Sequence, residues 1–213
     1  MTTYPGSPRL FRGALVTLDN NSRIATAIPF QYNPGALNRS LEAQIIESQG
    51  GGGQPRFSGA PVETIKADIL LNASDGLEKN DENARELGIY PQLAALEILL
   101  YPSSQAIKLN ATLLKVGTIE IIPPTVPMTL FIWGVRRIVP VRITEYSVVE
   151  EYHDPNLNPV SATVSLGMRV LSYSDLATES SGWNLFMSHQ VVKESLADIA
   201  RANANKSSYQ SLL

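Results

Sequence analysis

The strongest constraint on this chain is a pair of long alternating runs that flank a dense turn signal. The runs cover Ile138 to Tyr152 and Val160 to Tyr173, and Asp154-Pro-Asn-Leu-Asn-Pro159 lies between them. The second run places apolar side chains on one face at a period of two, namely Ala162, Val164, Leu166, Met168 and Val170. Pro and Asn are typical of turns. The pattern therefore predicts an antiparallel hairpin whose strands exceed the usual length.

Shorter runs of the same kind predict further strands. Arg9 to Leu18 and Arg23 to Tyr32 flank turn residues and predict a hairpin. Glu63 to Asn72 alternates cleanly, and Met128 to Trp133 is a continuous apolar run. Leu37 to Ser48 is compatible with a strand or a short helix. In the first long run, Ile143, Tyr146 and Val148 are spaced less cleanly than a period of two demands, which allows a β-bulge whose position the sequence does not assign.

Helical signals are fewer. Asp75 to Leu87 is polar and helix-compatible, and Pro91 opens an apolar helix that we expect to end at Tyr101-Pro102 and to pack on the sheet. Trp183 to Asn205 has the spacing of an amphipathic helix, and its apolar members are Val191, Val192, Leu196, Ile199 and Ala200. Gly50 to Gly53 predicts a mobile loop. The fold class is therefore mainly β (α+β), with a β domain over residues 1–175 and a C-terminal helical extension over 176–213.

Composition disfavours most kinds of chemistry. The net charge is −3, the 17 basic residues are scattered, and there is no cysteine, so the sequence lacks the basic footprint of a nucleic-acid partner and any thiolate site. It has two histidines and no nucleotide-binding or hydrolase fingerprint. His153-Asp154 beside Glu150-Glu151 is a poor metal cluster, because consecutive strand residues point to opposite faces. We expect no enzyme activity, no cofactor and no metal.

No signal peptide or membrane-spanning stretch is evident, which predicts synthesis in a cytoplasm. Two other features are open to more than one interpretation. Trp133 is either a ligand platform or, more commonly, an aromatic residue packed on an apolar strand. Arg136-Arg137 can recognise carboxylates of a ligand or of a neighbouring subunit, or can be a solvated pair.

Five stretches, in order, resemble one family: the tube-initiating, hub-adaptor baseplate proteins of contractile injection systems and contractile phage tails. They are Phe30-Gln-Tyr-Asn-Pro34; Gly59-Ala-Pro-Val-Glu-Thr-Ile65; Pro91-Gln-Leu-Ala-Ala-Leu-Glu97 with Tyr101-Pro102; Phe131-Ile-Trp-Gly134 with Arg137-Ile-Val-Pro-Val-Arg142; and Asp154 to Ala162 with Leu166 to Leu171. The last stretch is the most specific. Each motif alone is common in proteins, so the resemblance rests on all five occurring in the same order.

The resemblance implies a fold like that of the inner-tube subunit, a two-sheet sandwich or flattened barrel with one packed helix. It implies a homo-oligomeric, hexameric ring that connects the spike hub to the inner-tube protein, initiates tube polymerisation, and contacts other baseplate and sheath proteins. Such a protein is assembled in the bacterial cytoplasm as part of a phage tail-like particle, without direct membrane insertion. Many members also carry a LysM module, which this sequence lacks, so peptidoglycan binding is not implied.

The expected subunit contacts follow from these motifs. The interface candidates are Phe30, Asn33, Pro34, Trp133, Arg136, Arg137, Asp154, Asn156, Leu157, Asn158 and Pro159. Two alternatives stay open. One is an inner-tube or tube-terminator ring of the same machine, and the other is a β-sandwich module that binds carbohydrate through Trp133 and tyrosines.

Overall fold

The computed structural model describes residues 11–19, 22–46, 54–115 and 126–204. Seven strands form one antiparallel sheet in the order β2-β1-β7-β8-β9-β6-β3, and β4 and β5 form a separate pair. The strands are β1 Ala14–Leu18, β2 Ile24–Pro29, β3 Leu37–Glu42, β4 Ile45–Ile46, β5 Arg56–Phe57, β6 Val62–Asn72, β7 Met128–Ile132, β8 Ile138–His153 and β9 Pro159–Val170. The mainly β fold class is thus confirmed. Among the described residues the sheet is open, with β2 and β3 at its edges, and no closed barrel forms.

The helices depart more from the sequence-based expectation. They are α1 Ser74–Glu78, α2 Glu82–Leu87, α3 Tyr90–Glu97, α4 Ser104–Lys115 and α5 Ser181–Ala204. α3 ends at Glu97, before the expected stop at Tyr101-Pro102. α4 was not predicted, and none of its residues is buried. The predicted loop at Gly50 to Gly53 lies outside the described residues.

The core forms where the sheet curls around α3. Leu93 and Leu96 of α3 are buried with apolar residues of β1, β6, β7, β8 and β9. The curl brings the end of β2 to the end of β6, five strand positions away in the sheet order. There the Gln31 side chain donates to the Asn72 carbonyl oxygen at 2.7 Å and accepts from the Asn72 amide at 2.8 Å. The side-chain amide of Gln31 thus makes the two hydrogen bonds that the backbone of a neighbouring strand would make.

The long hairpin β8–β9 is confirmed, and so is its bulge. The register between the two strands shifts between Ile143 and Glu145, and Glu145 lies opposite Gly167. A Cβ on Gly167 would stand 2.7 Å from the Cβ of Glu145, so glycine provides the space that the bulge needs. The predicted buried face of β9, from Ala162 to Val170, is also confirmed.

The turn of this hairpin packs against the α2–α3 connection. Asn158 Nδ2 donates to the Glu86 carbonyl oxygen at 2.9 Å, and the Ile89 amide donates to the Pro159 carbonyl oxygen at 2.9 Å. Gly88, at φ +57°, passes so close that a Cβ there would collide with that same carbonyl oxygen. The hairpin end is therefore fastened to the helices of its own chain.

Beyond its first turns, α5 buries little. Phe186 lies in the main core, and α5 packs on β8. The apolar residues that the helical spacing singled out are mostly exposed: Val191 at 55%, Leu196 at 43% and Ile199 at 59%. The sequence thus predicted the helix correctly, but this stripe is not its buried face.

Candidate subunit interface

Three of the sequence-predicted interface residues line one cavity. Trp133, Arg136 and Arg137 belong to the β7–β8 turn, and they border a cavity of about 260 Å³. Its other walls come from β3 and from α5, through Arg39, His189, Val192, Lys193 and Leu196. Residues that are distant in sequence therefore meet at the Glu63 end of β6.

Backbone contacts fix the shape of the turn. The Trp133 amide donates to the Arg137 carbonyl oxygen at 2.8 Å, and Gly134 adopts φ +71°, which glycine tolerates best. His189 Nδ1 lies 3.2 Å from the Arg136 carbonyl oxygen, which ties α5 to the turn. The Trp133 ring stacks on Phe131, with 6.0 Å between ring centroids, and this favours the interpretation as a packed aromatic.

The buried carboxylate of Glu63 pairs with two of the cations that line the cavity. Glu63 is 6% exposed and accepts from Arg39 Nη2 at 2.6 Å, Arg39 Nε at 2.9 Å and Lys193 Nζ at 3.1 Å. Burial alone would raise the pKa of Glu63, but the hydrogen bonds and charges of Arg39 and Lys193 outweigh it, so the pKa lies below the ordinary value. Glu63 is therefore ionised and joins β3, β6 and α5.

The cavity keeps an excess of positive charge. Within the described residues, Arg136 and Arg137 form no ion pair. Burial, followed by repulsion from Arg39, lowers the pKa of Arg137. His189 is 8% exposed, and its Nε2 is buried with no hydrogen-bond partner in the described structure. Burial and then Lys193 lower the pKa of His189, so near neutral pH it is uncharged.

The turn residues of the long hairpin lie at the other end of β6. Asp154 accepts from the amides of Asn156 and Asn158 and from Asn158 Nδ2, at 2.7 to 2.8 Å. The Asn158 hydrogen bonds lower the pKa of Asp154. Leu157, at φ +64°, is 74% exposed, whereas Pro159 is buried. Three hydrogen bonds to Asp154 thus close the turn, which presents one apolar side chain outward.

The remaining candidates have roles within the chain. Phe30 is 1% exposed and packs in the core against Phe131, with 6.4 Å between ring centroids. Asn33 accepts from the Gly13 amide at 2.8 Å and donates to the Phe11 carbonyl oxygen at 2.9 Å. Pro34 is half-buried beside it. The Phe-x-Tyr-Asn-Pro motif therefore braces the start of β1.

Sequence reasoning missed the partners of the turn arginines. Glu63 lies on the same face of β6 as Ile65 and Ala67, and this pattern indicates a buried carboxylate. His189 and Lys193 are four residues apart on α5, which places them on one helix face. Neither signal shows that these residues meet Arg136 and Arg137, because that contact depends on the curl of the sheet.

Within the described ranges, no three His, Asp or Glu side chains are close enough together to hold a metal ion. No helix in the described part of the chain is long and apolar enough to cross a membrane.

Comparison with known proteins gives only distant structural matches. No protein-family model matches the chain, and no curated protein matches it. A chain from the tail of an empty gene transfer agent particle with C6 symmetry matches at 17% identity and a TM-score of 0.29, covering 74% of this chain and 90% of that one. A chain from the virion of a native gene transfer agent particle matches at 13% identity and 0.28, with the same coverages. These TM-scores are too low to establish a shared fold.

Proposed function

We propose that this chain is a structural subunit of a phage tail-like particle. More narrowly, it forms a hexameric ring in the baseplate of a contractile injection system, joins the spike hub to the inner tube, and initiates tube polymerisation. The ordered sequence motifs that resemble the tube-initiator family support this proposal. They lie in the same order between Phe30 and Leu171, and three of them lead into β6, lie on α3, and form the β8–β9 turn with β9.

The observation that carries the proposal is the long open edge of β8. β7 pairs only with Ile138 to Val141, so from Arg142 to His153 β8 has β9 as its sole partner among the described strands. The exposed side chains along this edge include Val149 at 60% and Tyr152 at 78%. A long strand edge with apolar side chains is a template for pairing with another chain. Neighbouring ring subunits would satisfy it.

Two other roles make different predictions. An inner-tube or terminator ring shares the same chemistry, and differs in the number of copies in each particle. Carbohydrate binding through Trp133 is less favoured, because one face of its ring is occupied by Phe131. We therefore favour the structural role.

The test is deletion of the gene in a cell that makes the particle, followed by electron microscopy and counting of copies by quantitative mass spectrometry. We expect baseplate hubs without tubes in the deletion strain, rescue by the wild-type gene, and a copy number of one ring per wild-type particle. Complete tubes in the deletion strain would refute the proposal. A copy number that grows with tube length would assign the chain to the tube instead.

A further inference from the structure

Charge is distributed unevenly between the two ends of the long strands. The Glu63 end of β6 carries the cavity with its four cations, Arg39, Arg136, Arg137 and Lys193. Glu63 pairs with Arg39 and Lys193, which leaves the two turn arginines without an ion pair in the described structure. At the Asn72 end, α1, α2 and the β8–β9 turn bring together eight acidic residues and only two basic ones. The acidic residues are Asp75, Glu78, Asp81, Glu82, Glu86, Glu150, Glu151 and Asp154, and the basic ones are Lys79 and Arg85.

The strand register shows that these ends are far apart. Asn72 pairs with Ser161, which pairs with Glu151, so Glu151 is level with the Asn72 end of β6. Nine residues of extended strand separate Glu63 from Asn72, which is roughly 30 Å. The basic cavity of a single chain therefore cannot be neutralised by its own acidic end.

The cavity has the chemistry of a carboxylate receptor. Arg136 and Arg137 supply guanidinium groups that form no ion pair in the described structure, and such groups bind carboxylates in a bidentate manner. His189 Nδ1 faces the Arg136 carbonyl oxygen, so the proton of this neutral ring is on Nδ1. Its buried Nε2, which has no partner among the described residues, is therefore an acceptor and takes no part in binding a carboxylate. Trp133, Val192 and Leu196 give the same cavity an apolar wall.

The acidic end presents a matching group. Glu151 is exposed and forms no ion pair among the described residues. Its neighbour Tyr152 is 78% exposed and, at φ +48°, departs from the extended backbone that points consecutive side chains to opposite faces. Leu157 in the adjoining turn is 74% exposed. A carboxylate beside two exposed apolar side chains is complementary to guanidinium groups beside an apolar wall.

We propose that the cavity at Arg136 and Arg137 receives Glu151 of a second copy of this chain, with Tyr152 and Leu157 packed on its apolar wall. The contact joins the basic end of one copy to the acidic end of the next. Such head-to-tail contacts close into a ring or extend as a stack. The inference rests on the proposed structural role, and it adds the residues through which copies recognise each other.

The test is sedimentation velocity of the purified chain in about 0.1 M and about 1 M NaCl, between which the screening length falls from about 10 Å to about 3 Å. We expect wild-type species larger than dimers at low salt, with at least about tenfold weaker association at high salt. Arg136→Ala/Arg137→Ala removes the receptor and Glu151→Ala removes its ligand. We expect each variant alone to stay monomeric.

Mixing the two variants provides the sharpest readout. The intact acidic end of the receptor variant fits the intact cavity of the ligand variant, so we expect an equimolar mixture to stop at a heterodimer. Arg137→Glu combined with Glu151→Arg in one chain should restore self-association. Asp198→Arg/Arg201→Glu, which reverses an exposed pair on α5, is the control and should assemble like wild type. Melting curves verify that every variant is folded.

Three results would overturn the inference: a wild-type chain that stays monomeric, alanine variants that assemble like wild type, or a mixture that grows beyond dimers. If these variants assemble like wild type but the gene deletion still loses its tubes, the proposed function stands and only this contact is rejected. Normal tubes in the deletion strain would instead remove the proposed function.

Discussion

At the scale of single residues, Glu63 is the connection between β3, β6 and α5. Its side chain is 8% exposed, and those of its partners Arg39 and Lys193 are 28% and 33% exposed. Removing one member of a buried ion pair leaves the others with an uncompensated charge. We expect Glu63→Gln to lower the free energy of unfolding by about 2–3 kcal/mol, measured by urea denaturation.

A second ion pair on the same sheet provides the matched control. Glu145 pairs with Lys66 at 2.7 Å, and both side chains are about 60% exposed. Exposed pairs contribute little, so Glu145→Gln should change the unfolding free energy by less than about 1 kcal/mol. Equal losses in the two variants would show that the burial of Glu63 has no energetic role.

His189 should make stability depend on pH. Its folded-state pKa is lowered by burial and by Lys193, with a smaller contribution from Arg137, against the opposing effects of the Arg136 carbonyl oxygen and Glu63. The unfolded chain therefore binds a proton more readily than the folded one. The stability due to neutral His189 is complete well above pH 6.5 and is lost as pH falls from there towards the folded pKa.

The measurement is urea denaturation of wild type and His189→Gln between pH 7.5 and 5. We expect the wild type to lose stability faster on acidification, and the Gln variant to have the shallower slope. Parallel profiles for wild type and His189→Gln would contradict the prediction. The Glu63 contribution is lost only below pH 4.5, outside this range.

At the scale of secondary-structure elements, the contact between the hairpin turn and the α2–α3 connection depends on Gly88. A side chain there would be strained by the positive φ and would collide with backbone at Pro159. We expect Gly88→Ala to cost about 3 kcal/mol of unfolding free energy in thermal or urea melts. Gly35→Ala meets no atom within 4 Å and should change stability by less than about 1 kcal/mol. Similar melts for the two variants would refute the requirement for glycine.

The sequence predicts elements well where burial is periodic, and less well elsewhere. The alternation in β6 and β9 is produced by one buried face, so strand type and face are both correct. α4 was missed because no face of it is buried by the described chain, and its apolar residues lie in a segment that begins with Pro and Ser. In α5 the spacing predicts a helix. It does not predict that Phe186 is buried and Ile199 exposed, because this difference depends on where the sheet ends.

At the scale of the whole molecule, the curl of the sheet brings the site together, and local patterns cannot predict it. Arg39, Glu63, Arg137 and Lys193 come from four separate segments. The sequence singled out Trp133 and the turn arginines separately as interface candidates, and the β7–β8 turn brings them to one cavity. Their partners on β3, β6 and α5 become neighbours only after the sheet has curled.

Gln31 should stabilise that curl. Its two hydrogen bonds to Asn72 are made between strands that are remote in the sheet order. We expect Gln31→Ala to lower the unfolding free energy by about 2 kcal/mol, and to speed hydrogen exchange at the end of β6. Gln190→Ala, which loses a bond to exposed Glu194, should cost less than about 0.5 kcal/mol. Unchanged exchange in Gln31→Ala would show that the core alone holds the curl.

The charges along the open edge of β8 also disfavour one kind of self-association. Glu145, Glu150 and Glu151 all lie on this strand, so an in-register copy of β8 laid along it would bring identical carboxylates side by side. Like charges in neighbouring strands repel, and charged edges resist amyloid-like association. We therefore expect the β8 edge to resist fibre-like pairing with itself, and to pair instead with a different strand of a neighbouring copy.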